Sequence, residues 1–164
     1  MQKVDYLIIQ STDTSEAKDF GKDVIIKQHT ASARDGGFNW NRPGFDYLVL
    51  QDGKMQTIID EDSPTTTDLW GISHGKNAVT GLAKHIAYVG GRTLKETFDK
   101  DTRTDEQKQA LEAIVKFYIL RFPDIIIAGF NEVPSKKDAD SPGFEVAEWL
   151  RELEIPEHNI FKGK

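Results

Sequence analysis

The stretch that decides the fold is VDYLIIQ at Val4–Gln10, which leads directly into the polar residues Ser11, Thr12 and Asp13. The stretch is a short apolar run rich in branched side chains, and this pattern predicts a buried β-strand. Because polar residues follow the strand without a break, we expect any ligand chemistry to lie at the strand's end. The rest of the chain is placed around this strand.

Two further elements are predicted before residue 60. Apolar residues and alanines over Lys18–Arg34 favour a helix, and Asp35-Gly36-Gly37 ends it because glycine accepts the left-handed conformation of a helix C-cap. Two short apolar runs, Asp46–Leu50 and Met55–Ile59, then flank Asp52-Gly53. An Asp-Gly turn between such runs is a strong signal for a β-hairpin.

The second half of the chain also combines strands and helices. Apolar runs at Lys84–Val89 and Asp124–Ala128 predict strands. Thr104 with Gln107 three residues later forms a capping box that opens a helix, and Pro142–Leu153 predicts a final helix with proline near its first turn. Loops are predicted at Phe38–Gly44, Asp62–Asp68 and Asn131–Ser141. The fold class that follows is a mixed α/β domain.

Composition narrows the class of protein. With 164 residues the chain has the length of one domain, residues 1–164, and 38% hydrophobic and 29% charged residues are ordinary for a folded protein. The 21 basic and 27 acidic residues give a net charge of −6, which disfavours nucleic acid as a partner. The absence of cysteine excludes disulfides, thiolate nucleophiles and cysteine metal sites.

The sequence shows no targeting segment. Met1–Gln10 lacks the basic stretch and apolar core of a signal peptide, and no run approaches the roughly 18 apolar residues of a membrane span. We therefore expect no membrane partner, and a location in the cytoplasm or in a virion unless another machinery delivers the protein. The oligomeric state is left open.

Four segments in this order resemble those of type 2 N-acetylmuramoyl-L-alanine amidases, the family that includes phage zinc-amidase lysozymes and animal peptidoglycan recognition proteins. They are residues 7–12 (LIIQST), 44–49 (GFDYLV) with Asp52-Gly53, 85–91 (HIAYVGG) before the Thr104 helix, and 127–132 (IAGFNE) with 141–146 (SPGFEV). Together they span nearly the whole chain. The resemblance implies a central mixed β-sheet packed by helices, with a zinc ion in a cleft at the strand ends.

The resemblance also implies where the three zinc ligands of the family would stand. The first histidine corresponds to Gln10, the second, which follows a glycine, to Phe130, and the cysteine or aspartate to Ser141. A catalytic zinc takes three protein ligands from histidine, cysteine or carboxylate and keeps a fourth position for water. These three residues do not supply such a set, so zinc is not expected as a cofactor and no catalytic residue is assigned.

Other residues around these positions are candidates for ligand binding. Phe45-Asp46 stands where the family has a tyrosine-histidine pair, and His74 lies in a segment similar to one that lines the family's cleft. Trp40 and Trp70 lie in loops expected to border the cleft, where aromatic faces stack on sugars. The full set of ligand-binding candidates is Gln10, Trp40, Phe45, Asp46, Trp70, His74, Asn131, Glu132 and Ser141.

Several residues have simpler interpretations. His29, His85 and His158 are expected to serve local structure, and Trp149 to anchor the last helix in the core. Many phage members of the family carry a lysine shortly before the third zinc ligand. Lys136 and Lys137 lie near that place, but the sequence does not decide whether either of them matches it, and neither is assigned a role.

Two other kinds of site are disfavoured. A nucleophilic Ser11 or Ser141 would need a histidine base, and neither serine has one at a matching position of the family. A substitute site for a hard cation would need convergent oxygen donors, whereas loop carboxylates are usually solvated. The residues weighed for that cation site are Asp46, His74, Glu132 and Asp140.

Three hypotheses of function remain. The first is a catalytically inactive amidase homologue that binds a peptidoglycan fragment, a muropeptide, in the former active-site cleft. The second is an amidase-fold scaffold that binds a protein partner, in a phage-encoded regulatory role. The third is a residual peptidoglycan amide hydrolase with an unusual site.

Overall fold

A five-stranded sheet forms the centre of the protein, as described by a computed structural model that covers residues 3–61, 63, 67–75, 78–136 and 139–162. The strands of the described chain are β1 (Tyr6–Ser11), β2 (Thr14–Ser15), β3 (Tyr47–Val49), β4 (Met55–Thr57), β5 (Ala83–Tyr88), β6 (Gly91–Arg92) and β7 (Ile126–Gly129). The large sheet has the order β4-β3-β5-β1-β7, and β2 pairs with β6 separately.

The sheet is mixed. Strand β1 runs parallel to β5 on one side and to β7 on the other, and β3 is parallel to β5. Strand β4 returns antiparallel to β3 through the predicted Asp-Gly turn and forms one edge of the sheet. The predicted fold class, a mixed sheet packed by helices, is confirmed.

In the described ranges, three α-helices pack on this sheet: α1 (Lys22–Thr30), α2 (Asp105–Arg121) and α3 (Val146–Glu152). The predicted capping box of α2 is present, since the Thr104 side chain accepts a hydrogen bond from the Gln107 amide and the Gln107 side chain accepts one from the Thr104 amide. Short 3-10 helices lie at Ala33–Asp35, Thr67–Trp70, Phe130–Glu132, Pro134–Lys136 and Glu157–Asn159.

Two predicted helices were too long. The helix predicted over Lys18–Arg34 begins only at Lys22, after the N-cap residue Gly21, and it ends at Thr30, because Ala31 has extended backbone and the chain then forms a separate 3-10 turn. The helix predicted from Pro142 begins only at Val146. Gly143 lies in the left-handed region at φ +89°, and a Cβ there would stand 2.5 Å from the Lys100 carbonyl oxygen, so the chain turns before it becomes helical.

The predicted loops differ in detail. Asn131–Ser141 contains parts of two 3-10 helices, and in the loop predicted at Asp62–Asp68 residues 62 and 64–66 lie outside the described part of the chain. Within that part, no helix has the length and apolar character needed to cross a membrane.

The core is divided by the sheet. Alternate residues of β1 point to opposite faces, so Leu7 and Ile9 pack in the layer of α2 and α3, whereas Ile8 packs with Phe130 on the other face. Trp149 is 8% exposed within the α3 layer, which confirms its predicted role as a core anchor. The polar residues that follow β1 are thereby held at one end of a rigid sheet.

Candidate functional site

A pocket of about 210 Å³ opens where β1 ends, and we call it the β1 pocket. Its lining includes Gln10, His29, Phe45, Trp70, Phe130 and Ser141. Strand β1 lies between β5 on one side and β7 on the other, so the later strands are added to the sheet on both sides of β1. The carboxyl ends of strands at such a switch point are the usual place for a ligand in an open α/β sheet.

The three positions matched to the family's zinc ligands meet in this pocket. Gln10 is the fifth residue of β1, and Phe130 follows β7 directly. Ser141 comes from the loop before α3, and its hydroxyl accepts a hydrogen bond from the Ser11 amide at 2.9 Å. All three side chains are at most 8% exposed.

The Gln10 amide is oriented by His85. Its oxygen lies 2.8 Å from His85 Nδ1, and because an amide oxygen only accepts, Nδ1 carries the proton. Burial lowers the pKa of His85 to about 3, so the ring is neutral. The NH₂ group of Gln10 makes no hydrogen bond to a described residue and remains as a donor on the pocket wall.

Phe130 offers an aromatic surface at the second position. Its ring packs edge-on against Trp70 with centroids 5.5 Å apart. Lys136 Nζ lies 5.9 Å from the centroid of the same ring, and Lys137 lies outside the described residues. Phe130 therefore contributes packing and no lone pair.

The residues present do not fit a catalytic zinc. An amide, a phenyl ring and a hydroxyl occupy the three positions, and none belongs to the histidine, cysteine and carboxylate set that such a zinc needs. Across the described ranges, no three histidine, aspartate or glutamate side chains are grouped so that they could hold a metal ion.

His29 forms the centre of an aromatic cluster at the pocket. Its Nδ1 accepts a hydrogen bond from the Gly44 amide at 2.9 Å, which places the ring proton on Nε2. Burial lowers the pKa of His29 to about 4. The rings around it, with centroids 5.0 to 5.8 Å away, belong to Phe38, Trp40, Phe45 and Trp70.

Sequence reasoning gave His29 a local structural role and missed its place in the pocket. A signal was available in the sequence, because His29 lies one helical turn after the apolar Ile25, and the structure buries both residues. That spacing puts His29 on the inward face of the helix.

Charged groups occupy another part of the wall. Asp13 has a left-handed backbone at φ +55°, and burial, followed by the nearby Asp99 carboxylate, raises the pKa of its side chain. The Arg92 guanidinium lies 2.9 Å from Asp99 Oδ1 and also lines the pocket. A ligand at this wall meets both signs of charge.

Two predicted candidates have carboxylates that are bound by backbone amides. Asp46 is fully buried, with Lys84 Nζ 3.6 Å from one carboxylate oxygen and the His85 amide donating to the other at 2.7 Å. Glu132 accepts hydrogen bonds from the Gly129 and Ala147 amides, and burial raises its pKa. Both carboxylates stabilise the fold around the pocket and do not line it.

The remaining candidates lie around the pocket's margin. Trp40 contacts the pocket through Trp70, at a centroid distance of 5.0 Å, and the His74 side chain is 77% exposed near Asp68. Asn131 and Asp140 line a neighbouring depression of about 400 Å³. The structure thus gathers Gln10, Phe45, Trp70, Phe130 and Ser141 in one pocket and leaves Asp46, His74, Asn131 and Glu132 outside it.

The fold has clear counterparts among solved structures. The Ph2119 endolysin from Thermus scotoductus bacteriophage Ph2119 is 17% identical, covering 95% of this chain and 88% of its own, with a TM-score of 0.63. The N-acetylmuramoyl-L-alanine amidase LysC from Clostridium intestinale is 16% identical over 94% and 87%, with a TM-score of 0.63. Human PGRP-IBETAC in complex with glycosamyl muramyl pentapeptide is 13% identical over 99% and 88%, also at 0.63.

No protein-family model matches the sequence, and no curated protein matches it. The likeness to solved structures is therefore one of fold. The chain has the α/β fold shared by peptidoglycan recognition proteins and by phage and bacterial N-acetylmuramoyl-L-alanine amidases.

Proposed function

We propose that this protein binds a peptidoglycan fragment, a muropeptide, in the β1 pocket and does not hydrolyse it. The observation that carries the proposal is the chemistry at the end of β1. Where amidases of this fold are expected to hold zinc, Gln10, Phe130 and Ser141 place an amide, an aromatic ring and a hydroxyl around one cavity. These groups can hold acyl and sugar groups but cannot hold a catalytic metal.

Recognition would combine hydrogen-bond donors with the aromatic surface of the pocket. The Gln10 NH₂ and the His29 Nε2–H are donors for the amide carbonyls of a stem peptide, and Arg92 is a partner for a carboxylate. Phe45 and Trp70 stack with centroids 5.2 Å apart and offer an apolar surface to a sugar ring or a lactyl group.

Hydrolysis would need a group that activates water. The neutral His29 ring has one nitrogen lone pair, on Nδ1, and this lone pair already accepts the hydrogen bond of the Gly44 amide. The ring therefore has no lone pair left to take a proton from water. The free lone pair of His85 lies on Nε2, and this residue is fully buried. Neither histidine of the site is placed to act as a base, and we propose that the protein holds no zinc.

The binding proposal predicts measurable affinity for a soluble muramyl pentapeptide. Calorimetry on the whole protein should give saturable binding at ligand concentrations up to the millimolar range. Replacing Gln10 with methionine removes the amide at similar volume and should weaken binding about tenfold, because one ligand hydrogen bond is lost. Circular dichroism of the variant checks that the fold is retained.

The control is His74→Ala, which removes an exposed side chain outside the pocket and should leave the affinity unchanged. Absence of affinity at millimolar ligand would overturn the proposal and favour a scaffold that binds a protein. Mass spectrometry of the same mixtures should show intact ligand. Released stem peptide would instead establish a residual amide hydrolase.

The proposed absence of zinc predicts a gain of metal binding when the family's donors are restored. The triple variant Gln10→His, Phe130→His, Ser141→Cys should retain about one zinc per chain after dialysis, because it supplies three ligands at positions that line one pocket. Atomic emission on dialysed protein measures this. The unsubstituted chain and Gln10→His alone are the matched controls and should retain none; stoichiometric zinc in the unsubstituted chain would contradict the proposal.

A further inference from the structure

A second cavity lies between the β3-β4 hairpin and α2. It measures about 480 Å³, within the range of small-molecule sites, and its lining includes Tyr47, Met55, Glu61, Ala113, Phe117 and Tyr118. We call it the α2 groove. Tyr47 belongs to the core layer of α2 and α3, whereas Phe45 of the β1 pocket belongs to the layer of α1. The two cavities therefore lie on opposite faces of the sheet.

A directed chain of hydrogen bonds ends in this groove at a carboxylate. The Tyr118 hydroxyl donates to the Tyr47 hydroxyl at 3.1 Å, and the Tyr47 hydroxyl donates to Glu61 Oε1 at 2.6 Å. Both phenols are at most 4% exposed, and burial raises the pKa of Tyr118 to about 12 and that of Tyr47 further still. Both phenols thus remain protonated, and the chain of donors runs from Tyr118 through Tyr47 to Glu61.

Glu61 has no cationic partner among the residues that the structure describes. Its described hydrogen bond is the one from Tyr47 to Oε1, and Glu61 takes part in none of the ion pairs between described residues. The second oxygen, Oε2, therefore remains available to a ligand. A carboxylate in a mostly apolar cavity is complementary to a ligand that combines a positive charge with an apolar surface.

The walls of the groove supply that apolar contact. Met55 is 48% exposed at the edge strand, and Phe117 is 50% exposed on α2. Ala113 lies one helical turn before Phe117, and its small side chain leaves the space between Met55 and Phe117 open. Large apolar side chains left in water beside a carboxylate are a typical arrangement in a site for an amphiphilic ligand.

We propose that the α2 groove is a second binding site, which takes a small organic cation: an ammonium group on an aromatic or branched apolar body. The ammonium pairs with Glu61 and lies against the Tyr47 ring, whose face attracts cations. The apolar body packs between Met55 and Phe117. The site is independent of the β1 pocket and does not rest on muropeptide binding.

The test uses two probes that share a phenylethyl group and carry opposite charges, phenethylamine and 3-phenylpropionate, titrated into the whole protein and followed by nitrogen-15 NMR. Phenethylamine should bind with a Kd on the order of 1 mM and move the amide signals of Thr57, Ala113 and Phe117. The carboxylate should bind at least about tenfold more weakly, because it meets Glu61 with the same charge.

Two variants test the charge of Glu61 and the open space of the groove separately. Glu61→Gln keeps an oxygen acceptor for Tyr47 but removes the charge, and should weaken the amine about tenfold. Ala113→Leu fills the groove from an exposed helical position without touching Glu61 and should abolish binding. The matched control is Glu112→Gln, which removes the same charge one residue outside the groove and should change nothing.

Equal affinity for the two probes, unchanged affinity in Glu61→Gln, or shifts confined to the β1 pocket would each overturn the proposal. Since the substituted residues lie outside the β1 pocket, none of these outcomes decides whether a muropeptide binds there.

Discussion

Replacing Asp46 with alanine is expected to lower the free energy of unfolding by about 3–5 kcal/mol. Asp46 and Lys84 are both buried, with Lys84 Nζ 3.6 Å from the carboxylate, and this carboxylate also accepts the His85 amide. Removing the acid leaves the ammonium in the interior without its counter-ion, and it leaves a buried amide without its acceptor. Urea unfolding followed by tryptophan fluorescence measures the loss.

Two controls make this result specific to the buried pair. Asp124→Ala removes an exposed carboxylate, so the free energy should change by no more than about 0.5 kcal/mol. The double variant Asp46→Leu, Lys84→Met should lose less than the sum of the two single changes, because no charge is left unpaired. A loss of unfolding free energy below about 1 kcal/mol in Asp46→Ala would show that breaking the pair does not destabilise the fold as expected.

Acidification from pH 7 to pH 5 is expected to cost about 2 kcal/mol of stability through His29 alone. Burial lowers the pKa of this histidine to about 4 in the folded state, while the unfolded chain keeps the ordinary value of 6.5. Between these values the unfolded chain binds the additional proton. Stability is therefore full above pH 6.5, falls as the pH drops towards 4, and changes no further below that. His85, whose pKa burial lowers to about 3, adds a loss of the same sign.

The variant His29→Gln isolates this contribution. Its amide oxygen can still accept the Gly44 amide but does not titrate, so the difference in unfolding free energy between pH 7 and pH 5 should shrink by about 2 kcal/mol. His158→Gln is the matched control, because it makes the same exchange of side chains at an exposed position outside the pocket. An identical slope in His29→Gln and in the unsubstituted chain would rule out the buried histidine as its cause.

Much of the fold was predictable because its signals are local. The apolar run before Gln10, the Asp-Gly hairpin and the Thr104 capping box each depend on residues within a few positions, and each matches a structural element. The helix boundaries at Thr30 and Val146 were not predictable in this way. The late start of α3 depends on Gly143 approaching the Lys100 backbone, a contact between residues more than 40 positions apart along the chain.

The candidate site was likewise predictable only in part. Family resemblance singled out Gln10, Phe130 and Ser141, and the structure places them around one pocket. The pairing of Asp46 with Lys84 and the aromatic cluster around His29 arise from segments that only the folded sheet brings together. Pattern and spacing carry no information about such contacts, so Asp46 was assigned to the cleft although it lies in the interior.

Strand β1 is hydrogen-bonded to β5 along one edge and to β7 along the other. Its amide protons are thus shielded from solvent deuterium until the sheet as a whole opens, so their exchange follows the global unfolding equilibrium. A ligand that occupies the end of this strand and binds only the folded chain slows that exchange by the factor through which it raises stability. The strand that leads into the pocket is consequently also a reporter of its occupancy, readable without any label on the ligand.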